Sequence, residues 1–332
     1  MPMKKFINDP ANLTTELLEG FAMCYKGKVK IVSDKIVVRA TPKDESKVAI
    51  VTLGGSGHEP ALSGFVGEGM LDASVVGDIF AAPGAPKLLE ALRMFKRDAG
   101  IVLVTLNHAG DRMSATKALR DAQKEGILVR EIVTHDDISP GIDADPEEKR
   151  GLAGCIPLYK VIGAAAEQGM GLDEIIEIGE RFNRQMATLA VAMTGCTHPQ
   201  NGNPIAIMPD DEMEIGMGQH GEAGGGRSKI LTADETAARM IEPLMQATGI
   251  KAGDTAMLII NGVGATTLME MFIVYRKAAQ ILASKGVNVT PGACGEYLTV
   301  QEMAGFQMIL CKVDADHIEL IKAKARTPYW TA

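Results

Sequence analysis

Three short stretches of this 332-residue chain combine glycine with side chains that can move protons or attack a carbonyl. The first reads Gly54-Gly55-Ser56-Gly57-His58-Glu59-Pro60. Glycines there let a ligand approach the backbone and meet its N–H groups, and His58 can exchange protons near neutral pH. A tight turn with a surface histidine explains the same residues. The second is Asn107-His108-Ala109-Gly110-Asp111, in which Asp111 is either a base that orients a hydroxyl or the N-cap of the following helix, two roles that do not exclude each other. The third, EMEIGMGQHGEAGGGR at 212–227, sets His220 among Gly216, Gly218, Gly221, Gly224, Gly225 and Gly226. A neutral imidazole in such a loop can add to a ketone and give a tetrahedral adduct, with Glu222 orienting the ring. A glycine-rich hinge with a solvated histidine fits equally well.

Other chemistries are poorly served. Residues 54–60 match neither the phosphate-binding loop, which ends in Gly-Lys-Ser/Thr, nor the dinucleotide fingerprint GxGxxG. Asn261-Gly262-Val263-Gly264-Ala265-Thr266-Thr267 looks like a phosphate cradle opening a helix, but it lacks a lysine and a structural turn is favoured. His58, His108 and His220 come from separate turns without a short-range ligand pair, so no metal site is expected. His135, His198 and His317 read as solvated.

The elements that must carry these loops follow a βαβ rhythm. Strand patterns over 48–53, 101–106 and 127–133 alternate with helical patterns over 86–97 and 113–125. Parallel strands with right-handed crossovers result. Glycine turns at 54–57, 77 and 110 directly follow strand-like runs, where open parallel sheets bind ligands. After a charged, turn-rich stretch at 136–150, helices over 156–167 and 172–187 bridge to a second set of strands at 189–193, 212–217, 255–260 and 307–313. Helices over 233–246 and 267–284 accompany them. The expectation is an α/β protein of two domains, each a sheet flanked by helices, the first largely parallel. Residues 1–185 would form an N-terminal domain with the 54–60 and 107–111 loops, and 186–332 a C-terminal domain carrying the His220 loop.

Length favours two cores over one. With 46% hydrophobic and 23% charged residues and a net charge of −8, the chain reads as soluble and lacks the basic footprint of a nucleic-acid binder. Its longest apolar runs are strand-sized, so no membrane span is expected. No secretory signal is visible, because Asn8, Asp9 and Pro10 follow the opening lysines. Five scattered cysteines without CxxC spacing suit reduced thiols in a cytoplasm and small core residues.

Taken together, GGSGHEP at 54–60, GDIFAAP at 77–83, NHAGD at 107–111, EMEIGMGQHGEAG at 212–224 and NGVGATT at 261–267 resemble the substrate-binding subunit family of dihydroxyacetone kinases. Their order and spacing cover most of the chain, and the opening Lys4-Lys5-Phe6-Ile7-Asn8 is similar too. The resemblance implies that His220 forms a covalent hemiaminal with a short ketose such as dihydroxyacetone, which selects carbonyl sugars over polyols. It implies Asp111 as base, His58 as hydrogen-bonding assistant, and Gly55, Ser56, Gly57 and Phe80 around the substrate. No cofactor is expected on this chain; ADP or ATP with magnesium would reside on a separate nucleotide-binding kinase subunit. In phosphotransferase-system versions a phosphocarrier protein recharges that partner. A homodimer, a cytoplasmic setting and a place in glycerol metabolism are implied as well. Leu106 and His108 depart from the lysine and aromatic residue usual there, and the link between Arg239 and Lys251 is shorter than in some relatives. A four-carbon ketose, erythrulose, is therefore a rival substrate. A ketose-sensing coactivator paralogue and a metal-dependent aldolase or isomerase are the rival functions.

Overall fold

The structure is a computed structural model that describes residues 4–219, 221–222 and 224–332. Helix α1 (Leu13–Cys24) and the antiparallel pair β1 (Val29–Val32) and β2 (Ile36–Arg39) open the chain. Then come β3 (Ala49–Ser56), β4 (Ala73–Ile79), α2 (Ala85–Met94), β5 (Ile101–Leu106), α3 (Ala109–Lys124) and β6 (Val129–Thr134). The six strands form one sheet in the order β1-β2-β4-β3-β5-β6, with β4, β3, β5 and β6 parallel. All six residues of β5 are buried, which is why IVLVTL is apolar but for Thr105: both faces of a parallel strand are covered.

Two helices, α4 (Cys155–Glu167) and α5 (Leu172–Arg184), lead into the second half. There follow β7 (Met186–Ala192), β8 (Glu212–Ile215), β9 (Arg227–Lys229), α6 (Ala233–Thr248), β10 (Thr255–Gly262), α7 (Leu268–Ser284), β11 (Asn288–Glu296), β12 (Gly305–Lys312) and α8 (Ala315–Lys322). The second sheet runs β11-β10-β12-β7-β8-β9; β10 and β11 pair parallel and the other neighbours antiparallel. Both α6 and α7 begin with a Thr-x-x-Glu capping box, Thr232 with Glu235 and Thr267 with Glu270. Each box satisfies backbone donors at the helix start reciprocally.

The layers stack in sequence. α2 and α3 cover one face of the first sheet through Leu88, Leu92, Ala115 and Ala118. Its other face shares a core with α4, α5 and one face of the second sheet, where Ile50, Val102 and Val104 join Tyr159, Phe182, Met257, Ile259 and Ile309. α6 and α7 close the far face of the second sheet on Leu189, Leu258 and Met308. Every residue of α4 from 155 to 166 is buried, so this helix has no solvent face and serves both sheets.

Several local expectations are corrected. The helix read over 172–187 stops at Arg184, because Met186 and Ala187 pair with Cys311 and Leu310 in β7. Gly77 lies inside β4 and not in a turn; the chain at 81–83 folds back so closely that a Cβ at Gly77 would lie 1.9 Å from the Ala81 carbonyl oxygen. His317 is buried, edge-on to Phe182 at 5.1 Å, and burial lowers its pKa. His135 and His198 are half-buried, His198 lying edge-on to Phe80 at 5.4 Å. Cys24 is exposed and is no core residue, and all five cysteines are free thiols. No described helix is long and apolar enough to cross a membrane.

The middle helix contains a lysine. Lys160 is fully buried and donates from Nζ to the Leu320 carbonyl at 2.6 Å, and burial lowers its pKa to about 8. Because the folded-state value lies below that of the unfolded chain, folding carries a penalty that is full below about pH 8 and fades as pH rises toward 10.5. Urea unfolding should therefore show the wild type gaining about 2 kcal/mol relative to Lys160→Met between about pH 7 and about pH 9.5. A difference that stays flat with pH would show that the ammonium is not strained by its surroundings.

Candidate active site

The carboxyl ends of β3, β4 and β5 open toward one side, and a cavity of about 250 Å³ lies there. That is below the ~300–1,000 Å³ of sites for drug-sized ligands, so the space suits a small molecule. Gly54 and Gly55 form its floor from the last residues of β3, with His58 just beyond. Phe80 and Ala82 follow β4, and Leu106, His108 and Asp111 come from the passage between β5 and α3. The second sheet contributes Gln219 and Glu222 from the loop after β8, and Leu298 from the segment between β11 and β12.

His58 is 5% exposed and is held from the other half of the chain. Its Nδ1 lies 2.8 Å from the Thr299 carbonyl oxygen. A carbonyl only accepts, so Nδ1 carries the proton, and in the neutral tautomer Nε2 is an acceptor. The Thr299 amide and hydroxyl return the grip by donating to the carbonyls of His58 and Glu59, and Gln301 Nε2 donates to that of Gly57. The Thr299 segment is itself fixed by buried Asn261, which accepts from the amides of Tyr297 and Leu298 and donates to the Leu298 carbonyl. NGVGATT is thus a structural turn that braces the His58 loop while Thr267 caps α7.

Phe80 adopts a left-handed backbone, φ +56°, with its amide donating to the Ser56 carbonyl at 2.9 Å. Its ring lies 5.0 Å from that of His58. Gly57 is also left-handed, φ +95°, and a Cβ there would meet the Phe80 ring at 2.8 Å. A residue with a side chain at 57 would be strained twice over.

Asp111 is 8% exposed and lies in the first turn of α3, whose N-cap is His108. It is therefore not the N-cap; its carboxylate faces the partial positive charge of the helix start. Beneath it, fully buried Tyr159 shares a hydrogen bond with Thr52. Burial first, then the neighbouring Cys155 and Asp111, push this phenol's pKa well above its ordinary value. His108 Nε2 donates to the Gly151 carbonyl at 2.8 Å.

The structure brings His58, Asp111, Gly55, Phe80 and Leu106 to one cavity. His220 lies outside the described residues, but Gln219 and Glu222, close on either side of it in the chain, both line that cavity. Ser56 does not: its hydroxyl donates to the Gly77 carbonyl and meets Thr14, on the wall of a separate, apolar cavity behind β3. Gly57 packs on Phe80. Thr299, Gln301, Asn261 and Gly151 were not foreseen as part of the site. Six of their contacts run through main-chain carbonyls, which leave no mark in side-chain identity.

Comparison with known proteins places this geometry. A family model described as "Dak1 domain" matches residues 19–329. The dihydroxyacetone-binding subunit DhaK of PTS-dependent dihydroxyacetone kinase 1 from Listeria innocua is 36% identical, over 99% of this chain and 100% of that protein. The L-erythrulose kinase of Pectobacterium atrosepticum is 35% identical over 98% of this chain, which spans 56% of that longer protein. Among solved structures, the dihydroxyacetone kinase operon co-activator Dha-DhaQ superposes with a TM-score of 0.90 at 31% identity, covering 96% of this chain and 98% of that one. The C. freundii dihydroxyacetone kinase in complex with AMP-PNP and Mg2+ gives 0.89 at 28%, covering 99% of this chain and 61% of that one. Since the matched span runs unbroken through every loop that builds the cavity, the chain belongs to the Dak1 domain family.

Proposed function

We propose that this chain is the substrate-binding subunit of a dihydroxyacetone-type kinase, holding a short ketose in the cavity at the ends of β3, β4 and β5. The observation that carries the reading is the convergence of His58, Asp111, Gln219 and Glu222 on one small space. In the proposed first step the His220 imidazole lone pair bonds to the ketose carbonyl carbon. The carbonyl π pair moves to oxygen, which takes up a proton as the ring gives one up; nothing is expelled. His58, with Nδ1–H committed to Thr299, offers Nε2 as an acceptor to a sugar hydroxyl. Asp111 takes the proton of the hydroxyl that is phosphorylated.

A nucleotide with magnesium, carried by a separate kinase subunit, supplies the phosphoryl group, and a phosphocarrier protein recharges it in the phosphotransferase-system arrangement. This chain's part is positioning: it fixes the hydroxyl in line and keeps the carboxylate beside it. The setting is cytoplasmic, within glycerol metabolism. A second reading has a specific observation in its favour. Leu106 and His108 both line the cavity, and the similarity to an erythrulose kinase makes a four-carbon ketose the first alternative substrate.

A homodimer belongs to the same reading. Along α7, Leu268, Met269, Phe272 and Ile273 are all exposed by 41% or more, an apolar stripe on a helix that a second copy would cover. Light scattering should give twice 35.3 kDa for the wild type and a monomer for Phe272→Glu. A monomeric wild type would remove the dimer.

Two measurements test the chemistry. Incubated with dihydroxyacetone or erythrulose, the wild type should gain the mass of one whole ketose, because addition loses no water, and His220→Ala should gain none. A crystal soak showing the sugar bound without a covalent link would overturn the adduct. With the partner subunit and a phosphoryl donor present, Asp111→Asn should keep ketose binding but turn over about 10²-fold more slowly or worse. Wild-type activity in that variant would remove Asp111 as base, and a wild type that makes no sugar phosphate from either ketose would point to a sensor.

A further inference from the structure

One arginine outside the cavity reaches both Gly216 and Glu222 of the loop around His220. Arg150 lies in the connection between β6 and α4, with its side chain only 17% exposed. Its Nε and Nη2 lie 2.7 and 2.6 Å from one oxygen of Asp137, a carboxylate with no solvent exposure. The same Nη2 donates to the Ser139 hydroxyl at 2.8 Å and to the Gly216 carbonyl at 2.9 Å. Nη1 faces Glu222 at 3.9 Å. The loop backbone passes close to the guanidinium, since a Cβ at Gly218 would fall 2.1 Å from Nη1.

Among the described residues, the loop's main-chain amides donate within the loop or to its own sheet, and Met217 packs in a cluster against which Phe80 lies. Gly216 donates to the Ala190 carbonyl, Gly218 to that of Glu222 and Gly221 to that of Gly218. Arg150 adds a tie to the half of the molecule that holds Asp111. The connection bearing it is anchored there in turn. Asn107 Nδ2 donates to the carbonyls of Glu147 and Lys149, and His108 Nε2 to that of Gly151. A continuous path of hydrogen bonds therefore runs from the end of β5, beside Asp111, through 147–151 to the loop at 216–222.

We propose that Arg150, seated on Asp137, is a positioning residue that locks the 216–222 loop against the Asp111 side of the cavity and so sets the approach of His220 to the ketose. The claim about catalysis rests on the function proposed above; the claim about the lock does not. A guanidinium is needed because its planar fork serves carboxylate, hydroxyl and carbonyl in fixed directions at once, which an ammonium cannot reproduce.

The test uses the full chain and two variants. Arg150→Lys keeps the charge and loses the fork. Arg150→Met combined with Asp137→Asn removes both charges, so no buried carboxylate is left alone and folding is protected. Hydrogen exchange measured without sugar should rise about tenfold or more in peptides covering 216–222 in both variants, while β10 and β12 exchange as in the wild type. Unchanged exchange in the loop would overturn the lock, and so would a rise spread evenly over the chain. With dihydroxyacetone, both variants should form the covalent adduct at least about tenfold more slowly than the wild type. Loosened loops with wild-type adduct formation would overturn the positioning role. A wild type that forms no adduct sinks the proposed function instead, and the exchange result still decides the lock.

Discussion

Two consecutive carboxylates at the exit of β6 hold the halves of this molecule in register. Asp136 accepts from the amides of Leu152 and Gly154 at the start of α4, at 2.9 and 3.0 Å, and burial raises its pKa. Its main chain exchanges hydrogen bonds with β7: the Thr188 amide donates to the Asp136 carbonyl, and the Ile138 amide to that of Thr188. Asp137 then takes the Arg150 fork. First sheet, central helix, second sheet and the loop around His220 thus meet within two residues. A cavity whose walls come from both sheets needs such a junction, because a small relative shift of the sheets would change its shape as a whole.

Much of the scaffold could be read from the chain because burial writes a clear pattern. β5, expected at 101–106, spans Ile101–Leu106, since five apolar residues and Thr105, all buried and bounded by Gly100 and Asn107, leave little choice. The capping boxes at Thr232 and Thr267 likewise start α6 and α7 within a residue of the expected positions. β11 escaped because NVTPGACGE carries proline and glycine, residues that argue against a strand. It survives at the edge of its sheet, where one side needs no partner. β1 and β2 are four residues each, too short for periodicity to show. His317 looked solvated beside Asp314 and Asp316, but the helix carrying it turns its ring inward onto Phe182.

The candidate site divides along a different line. Its titratable side chains could be named from glycine-rich strand ends, because that placement has a physical reason visible in one dimension. What steadies them could not. The Thr299 carbonyl that sets the tautomer of His58 is 241 residues away, and Gly151 and Gly216 act through carbonyl oxygens that any residue possesses. Nothing in the sequence sets Arg150 apart from the other charges of its turn-rich stretch, although its side chain is largely buried.

Walls built from main chain have a further consequence. At Gly55 an added methyl would meet the Ala81 amide nitrogen at 2.7 Å, and at Gly77 the Ala81 oxygen at 1.9 Å, so these surfaces admit no variation by substitution. The shape of the cavity is instead open to change where a side chain lines it, as at Leu106.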